Sequence, residues 1–128
     1  RRLVEEYFEK MSVRAAGVDS VVNSLSGGNQ QKVIVAREMR FDPILLVASQ
    51  PTRGVDVGAI EFIHGEILAK RGTGCAVILV SEELEDLFAL SDRIIVMFDG
   101  RVTGHLDPDT ASPELLGSYM TGALQEAS

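Results

Sequence analysis

The chain has 128 residues, of which 45% are hydrophobic and only 5% aromatic, and its net charge is −7. These values predict one globular domain with a core of Val, Ile, Leu and Ala, and they exclude a disordered or fibrous chain. The acidic balance, with no stripe of Lys or Arg, also argues against a nucleic-acid partner, because most such proteins gain affinity by neutralising phosphates.

The first third of the chain predicts two helices and a strand. Residues 2–11 have the apolar spacing of one helical face, formed by Leu3, Val4, Tyr7, Phe8 and Met11. After a polar stretch and two glycines, a second helix is predicted from Asn29 to about Phe41, ending before Pro43. The apolar run 44–48 has the pattern of a strand buried on both faces of a parallel sheet.

The middle of the chain predicts a helix, a second apolar strand and a third helix. The strand is 76–80, and the helices on either side of it present apolar residues at helical spacing. These residues are Ile60, Ile63, Ile67, Leu84, Leu87 and Phe88. Because strands alternate with helices, we expect right-handed βαβ units and a parallel sheet.

The last third of the chain predicts a different arrangement. Residues 93–98 and 101–106 flank Asp99-Gly100, a dipeptide preferred in tight hairpin turns. Pro113 and Gly122 bracket a final short helix. The predicted fold class is therefore α/β, a parallel sheet with flanking helices followed by a C-terminal β-hairpin.

The octapeptide 25–32, Leu-Ser-Gly-Gly-Asn-Gln-Gln-Lys, is the strongest chemical signal. Two glycines before a helix let the backbone approach a ligand, and the helix N-terminus offers N–H groups with partial positive charge. Ser26 adds a hydroxyl donor to this anion site. Alternatively, Ser26 only caps the helix while the glycines form a turn. The whole octapeptide, followed by an apolar helix and strand, favours phosphate recognition.

This octapeptide resembles the signature motif of ABC-transporter ATPases. Residues 50–58, Gln-Pro-Thr-Arg-Gly-Val-Asp-Val-Gly, resemble the segment that joins the Walker B strand to the D-loop of that family. The resemblance extends over about residues 1–122, with the motifs in the right order and at the right intervals. It is strongest to the ATPase subunits of bacterial importers for simple sugars or nucleosides. In that group two ATPase domains are fused, and the chain resembles the C-terminal portion of the second.

The resemblance implies a partial P-loop NTPase fold of the ABC type. The Walker A part is missing, since nothing matches the loop G-x-x-x-x-G-K-[ST]. Residues 1–40 would form a helical subdomain and the signature helix, 41–106 the core strands and helices, and 107–128 a C-terminal helix and tail. We therefore expect a fragment that does not hydrolyse ATP alone. The strand it lacks would leave an apolar gap and free strand edges, so we expect self-association.

Three positions depart from the family pattern. Where the family has an Asp that helps hold Mg²⁺ and a Glu that orients water, this sequence has Ser49 and Gln50, which carry no charge. Glu82 stands where the family has a His that senses the γ-phosphate. A helix capped by Ser81, with Glu82 and Glu83 in its first turn, explains both glutamates without a catalytic role. We expect no intact catalytic site.

ABC domains work as head-to-tail pairs, so the resemblance implies that the chain serves a second ABC ATPase domain, fused or dimeric. Ser26, Gly27, Gly28 and Gln30 would contact that domain's ATP, and Asp56 would be the D-loop aspartate, which can also cap the following helix. ATP and Mg²⁺ are expected only with the complete protein. Transmembrane permease subunits would hold it peripherally on the cytoplasmic face of the bacterial inner membrane.

Two alternatives remain open at this point. One is a soluble ABC-type ATPase of DNA repair or translation, against which the acidic balance and the Asn-Gln-Gln-Lys continuation argue. The other is a non-catalytic regulatory ABC module, which titration with a fluorescent ATP analogue would test.

The remaining reactive side chains give weaker signals. His64 and His105 lack partners at metal-ligand spacing and are expected at the solvated surface. Cys75, the single cysteine, cannot form an internal disulfide and is interpreted as packing in a protein of a reducing cytosol. With no stretch near 20 apolar residues, the chain is not expected to span a membrane itself.

Overall fold

The computed structural model describes residues 2–10 and 13–126. Met11 and the side chains of Leu3 and Tyr7, predicted on the apolar face of the first helix, lie outside the described residues. Helices and strands follow one another as α1 (Arg2–Lys10), α2 (Gly27–Met39), β1 (Leu45–Ser49), α3 (Val57–Gly72), β2 (Ala76–Val80), α4 (Leu84–Leu90), β3 (Ile94–Phe98), β4 (Arg101–Leu106) and α5 (Pro113–Met120). None of the described helices combines the length and apolar character needed to cross a membrane.

The chain divides into two compact units, Arg1–Val80 and Ser81–Ser128. In the first unit β1 and β2 pair in parallel, with Leu45 opposite Ala76 and Ser49 opposite Val80. Helix α3 is the connection between these strands, so the predicted βαβ unit is present. The division into 1–40, 41–106 and 107–128 that the family resemblance implies stays a prediction.

The core of the first unit is built on α3. Ala59, Ile63 and Ile67 lie one turn apart along this helix and are at most 3% exposed. Burying each isoleucine contributes about 1.5–3 kcal/mol. Met39 from α2 and Cys75, which directly precedes β2, are also buried. The prediction that the isoleucines of this helix face inward is therefore confirmed, although Ile60 is only half-buried.

The strands of the first unit are covered on one face only. Burial alternates along β1 and β2, and the exposed fractions on one face are 48% for Leu45, 61% for Val47, 51% for Ile78 and 49% for Val80. The expectation of strands buried on both faces is therefore wrong for this chain. The physical reason is that no described residue of this unit packs over this face.

The second unit contains the predicted hairpin. Strands β3 and β4 are antiparallel, and Asp99 and Gly100 between them have φ of 47° and 72°, as a tight type I′ turn requires. The pairing shifts at Thr103, which is an extra residue between the Val96–Gly104 and Met97–Val102 pairs. An extra residue of this kind is a β-bulge.

Helix α5 packs against this hairpin. Ser112 caps it, since the Ser112 hydroxyl accepts a hydrogen bond from the Leu115 amide at 3.1 Å, and Leu116 is fully buried. The Thr103 hydroxyl donates to the Tyr119 carbonyl at 3.1 Å. After the helix the chain returns to the hairpin, where the Glu126 amide donates to the Thr103 carbonyl at 2.8 Å.

Candidate functional site

Ser26 is the N-cap of α2. Its hydroxyl oxygen accepts hydrogen bonds from the Asn29 backbone amide at 3.4 Å and from the Asn29 side-chain amide at 2.9 Å. The capping role considered from the sequence is therefore confirmed. Both contacts use the oxygen as acceptor, so the O–H proton can still donate to an anion.

The backbone at the start of α2 offers further donors. Within residues 13–126 the amides of Gly27 and Gly28 have no hydrogen-bond partner, as is usual for the first residues of a helix. The helix dipole adds partial positive charge at this end. Ser26, Gly27 and Gly28, named the signature loop from here on, thus present three donors where an anion is favoured.

The two glycines of the signature loop have different environments. A Cβ on Gly28 would lie 2.9 Å from Asp56 Oδ2 and 3.3 Å from Ala59 Cβ, so this residue is small because α2 packs against the start of α3. A Cβ on Gly27 would meet only the Gly54 carbonyl, at 3.9 Å, and Gly27 is exposed. Packing within the chain therefore explains Gly28 but not Gly27.

Asp56 lies between two helix N-termini. Its Oδ1 accepts from the Ala59 amide at 2.9 Å and caps α3, while its Oδ2 faces the signature loop beside Gly28. The positive ends of α2 and α3 would repel each other, and the carboxylate between them offsets that repulsion. The capping role weighed from the sequence is confirmed, and a cross-domain role of Asp56 stays a prediction.

The amide side chains after the glycines hold the loop in place. Gln30 Nε2 donates to the Leu25 carbonyl at 2.9 Å, so its amide turns back onto the loop. Asn29 Oδ1 accepts from the Arg14 amide at 2.9 Å, and Gln31 Nε2 donates to the Pro51 carbonyl at 2.8 Å. The sequence singled out Gln30 as a ligand contact but gave no role to Asn29 or Gln31. Their amide character at the start of a helix was the only signal available.

Ser49 and Gln50 lie at the carboxyl end of β1. Ser49 is exposed, and Gln50 has φ of 48° while its amide extends the parallel ladder by donating to the Val80 carbonyl at 2.7 Å. Both side chains are neutral. Across the described part of the chain, no group of three or more His, Cys, Asp and Glu side chains could hold a metal ion. These residues therefore do not fit Mg²⁺ on their own.

Glu82 belongs to the second unit, where the expected helix start is wrong by two residues. Helix α4 begins at Leu84 with Glu83 in the cap position, so Ser81 is not the cap and Glu82 precedes the first turn. The Ser81 hydroxyl instead accepts from the Glu83 amide and donates to Asp86 Oδ2, both at 3.0 Å. Asp86 is only 2% exposed and was not identified from the sequence.

Comparison with known proteins decides the family. The chain is 49% identical, over 91% of its length, to the nucleoside import ATP-binding protein NupA of Lactococcus lactis subsp. cremoris. It is 46% identical, over 98% of its length, to the guanosine import ATP-binding protein NupO of Bacillus subtilis. It spans 23% and 24% of those two proteins, about a quarter of the length of the curated relatives it matches. No family model matches the chain.

The fold of the chain is similar to solved structures of ATP-binding cassettes. A dimeric ATP-binding cassette in a post-hydrolysis state with ADP and Pi superposes with a TM-score of 0.70 at 27% identity, covering 81% of this chain and 45% of that one. The ATP-binding subunit of an ABC transporter superposes with a TM-score of 0.77 at 20% identity, covering 93% and 53%. This chain belongs to the ABC-transporter ATPase family. The predicted partial ABC ATPase fold is thereby confirmed.

Outside the signature loop, a contact between His105 and Glu126 was not predicted. His105 Nδ1 lies 3.0 Å from Glu126 Oε2, and the His105 amide donates to Glu126 Oε1 at 2.8 Å. These two hydrogen bonds, that of the side chain first, lower the pKa of Glu126. The pair joins residues 21 positions apart, so no local spacing could have indicated it.

Cys75 and the two histidines of the chain have structural surroundings. Cys75 is 7% exposed and its thiol donates to the Ala76 carbonyl at 3.3 Å, consistent with packing. His64 is half-buried rather than fully solvated as expected, whereas His105 is exposed. In the described chain neither histidine belongs to a group that could bind a metal.

Proposed function

We propose that this chain is part of the ATP-binding subunit of an ABC importer for simple sugars or nucleosides. In this role its signature loop completes the ATP site of a second ABC ATPase domain. The observation that carries the proposal is at the start of α2, where the amides of Gly27 and Gly28 have no partner within residues 13–126 and where Gly27 is exposed and not required by packing among the described residues. The likeness to nucleoside and guanosine import proteins supports the class of solute.

The signature loop would act on ATP bound by the partner domain. The amides of Gly27 and Gly28 and the Ser26 hydroxyl donate hydrogen bonds to phosphate oxygens of that nucleotide. Because these donors are fixed at the positive end of α2, they stabilise negative charge that develops during phosphoryl transfer. Gly27 leaves the space through which the phosphates approach.

The chain's own nucleotide position contributes no chemistry in this proposal. Ser49 and Gln50 carry no charge, so they neither hold Mg²⁺ strongly nor take a proton from water. The result is an asymmetric pair with one hydrolytic site, in which ATP and Mg²⁺ bind to the complete protein. Contact with permease subunits would place that protein on the cytoplasmic face of the plasma membrane.

The proposal is tested by ATPase and solute-uptake measurements on the complete ATP-binding protein with its permease. Gly27→Asp should lower kcat by about a hundredfold or more, because the added carboxylate repels phosphate and fills its space. Gln50→Ala should change kcat by less than about twofold, since removing a neutral amide takes no acid or base away. The matched control is Gly65→Asp, at an exposed glycine of α3 with no heavy atom within 4 Å of a Cβ. Equal losses in Gly27→Asp and Gln50→Ala would contradict the asymmetric pair.

A further inference from the structure

One side-chain hydrogen bond attaches the first turns of α2 to the turn that follows β1. Gln31 Nε2 donates to the Pro51 carbonyl at 2.8 Å, and this contact is partly buried. Gln31 is three residues after Gly28, so both lie on the same face of α2. A Cβ at Gly28 would meet Asp56 and Ala59, so α2 lies close to the start of α3 at this point. The signature helix is therefore attached at two points, 51 and 56–59, to one continuous segment.

The Pro51 carbonyl belongs to a turn that is itself well fixed. The Gln50 amide extends the β1–β2 ladder to the Val80 carbonyl at 2.7 Å. Within the turn, the Arg53 amide donates to the Gln50 carbonyl at 3.3 Å. Pro51 and Thr52 are buried although they lie in a connection between elements. Connecting segments normally run over the surface and are more mobile than the elements they join. Because this turn is buried and hydrogen-bonded, we expect it to be a firm support for α2.

We propose that Gln31 is a positioning residue for the signature loop. Its bond to Pro51 sets the direction in which the amides of Gly27 and Gly28 point. Gln50, in the same turn, stands where the family resemblance implies a glutamate, and the carbonyl of the following Pro51 serves as the anchor of the loop. This inference rests on the proposed function, since the loop it positions is the one that would meet the partner domain's ATP.

The structural part of the inference is tested on this chain without any nucleotide. Gln31→Met keeps the length of the side chain and removes the donor. We expect amide hydrogen exchange at Asn29 and Gln30, whose amides bond to Ser26, to become about five- to tenfold faster, the size expected for one net hydrogen bond. Exchange in the second half of α2 should not change. Gln31→Lys, which restores a donor of sufficient reach, should return the rate to within about twofold.

The functional part is tested by steady-state ATPase kinetics of the complete protein. Gln31→Met should lower kcat about tenfold while the KM for ATP stays unchanged, because misdirected donors lose transition-state contacts but not ground-state binding. Gln31→Lys should recover most of kcat. Arg37→Met is the control, since it removes an exposed ion pair with Glu38 on the same helix and leaves the Pro51 bond in place.

The outcomes separate this inference from the proposed function. Unchanged exchange in Gln31→Met would overturn the inference, whatever Gly27→Asp does. Faster exchange with unchanged kcat would also overturn it, because the bond would then have only a structural role. Full activity of Gly27→Asp would instead overturn the proposed function, even if Gln31→Met behaves as expected in exchange.

Discussion

At several positions of this chain a glycine leaves room for a neighbouring side chain where a Cβ would clash, and Gly104 is the clearest case. A Cβ at Gly104 would lie 2.7 Å from Cδ1 and 2.9 Å from Cγ of the Tyr119 ring. These atoms are near the root of the side chain and cannot move aside cheaply. Gly117, in α5, has no heavy atom within 4 Å of its Cβ position. The two positions therefore form a matched pair for measuring the cost of one methyl group.

Gly104→Ala should destabilise the chain by about 1–3 kcal/mol, because the new methyl group forces the Tyr119 ring to shift. Gly117→Ala should stabilise it by about 0.5–1 kcal/mol, since alanine loses less backbone entropy in a helix interior. The free energy of unfolding in urea measures both. Equal effects of the two substitutions would show that the close approach at Gly104 has no energetic consequence.

The sequence predicted single-residue roles well where the cause is local. The capping role of Asp56 and the turn at Asp99-Gly100 follow from a carboxylate ahead of a helix and from a residue that accepts positive φ. The prediction that Ser81 caps α4 was wrong. The Ser81 hydroxyl donates to Asp86, and the helix begins at Leu84, with Glu83 in the cap position. The packing role of Gly28 depends on Asp56, 28 positions away, and no local pattern contains that distance.

At the scale of elements, the tail after α5 is held against β4 by Glu126. Its amide bonds to the Thr103 carbonyl, and its carboxylate receives two hydrogen bonds from His105. Because the pKa of Glu126 is lowered in the folded chain, the carboxylate stabilises that state when it is charged. This contribution is complete above the ordinary pKa of 4.5 and is lost as the pH falls through the folded value.

The free energy of unfolding should accordingly depend on pH through this contact. The difference between the chain and Glu126→Gln should be constant just above pH 4.5 and should shrink as the pH is lowered from there. Glu61→Gln, which removes an exposed carboxylate on α3, is measured beside it as the control. A difference that grows on acidification would contradict the assigned sign.

Element boundaries were predictable to within a few residues. The strand 76–80 was predicted at its observed bounds, and β3 begins one residue later than expected. The bulge at Thr103 could not be predicted, because the extra residue is stabilised by a hydrogen bond to the Tyr119 carbonyl of α5. Apolar periodicity reports which residues avoid water, but it does not report a tertiary contact of this kind.

At the scale of the whole chain, the exposed face of the β1–β2 sheet is the main departure from an ordinary globular protein. Val47 and Ile78 are opposite each other in the ladder, and both are more than half exposed. Contiguous apolar surface of this kind usually marks an interaction site or an aggregation liability. The sequence predicted these apolar strands but expected them to be buried. It could not show which of the two faces would lack cover.

The isolated chain should therefore associate with itself in solution. Light scattering is expected to give a mass above that of one chain, rising with concentration. Val47→Lys should shift the mass toward that of the monomer, because a charge on this face must be desolvated on association. Val22→Lys, at an exposed valine outside the sheet, should leave association unchanged. A stable monomer at high concentration would contradict the prediction.

The burial of Cys75 makes spectroscopy of the signature loop straightforward. This residue is the only cysteine of the chain, and with 7% exposure its thiol is shielded from reagents. Val21, five residues before Ser26, is 70% exposed. In a V21C chain a thiol-reactive fluorophore would attach close to the signature loop, while the buried Cys75 thiol would remain unlabelled. The loop can thus be followed optically in a chain that keeps every other residue.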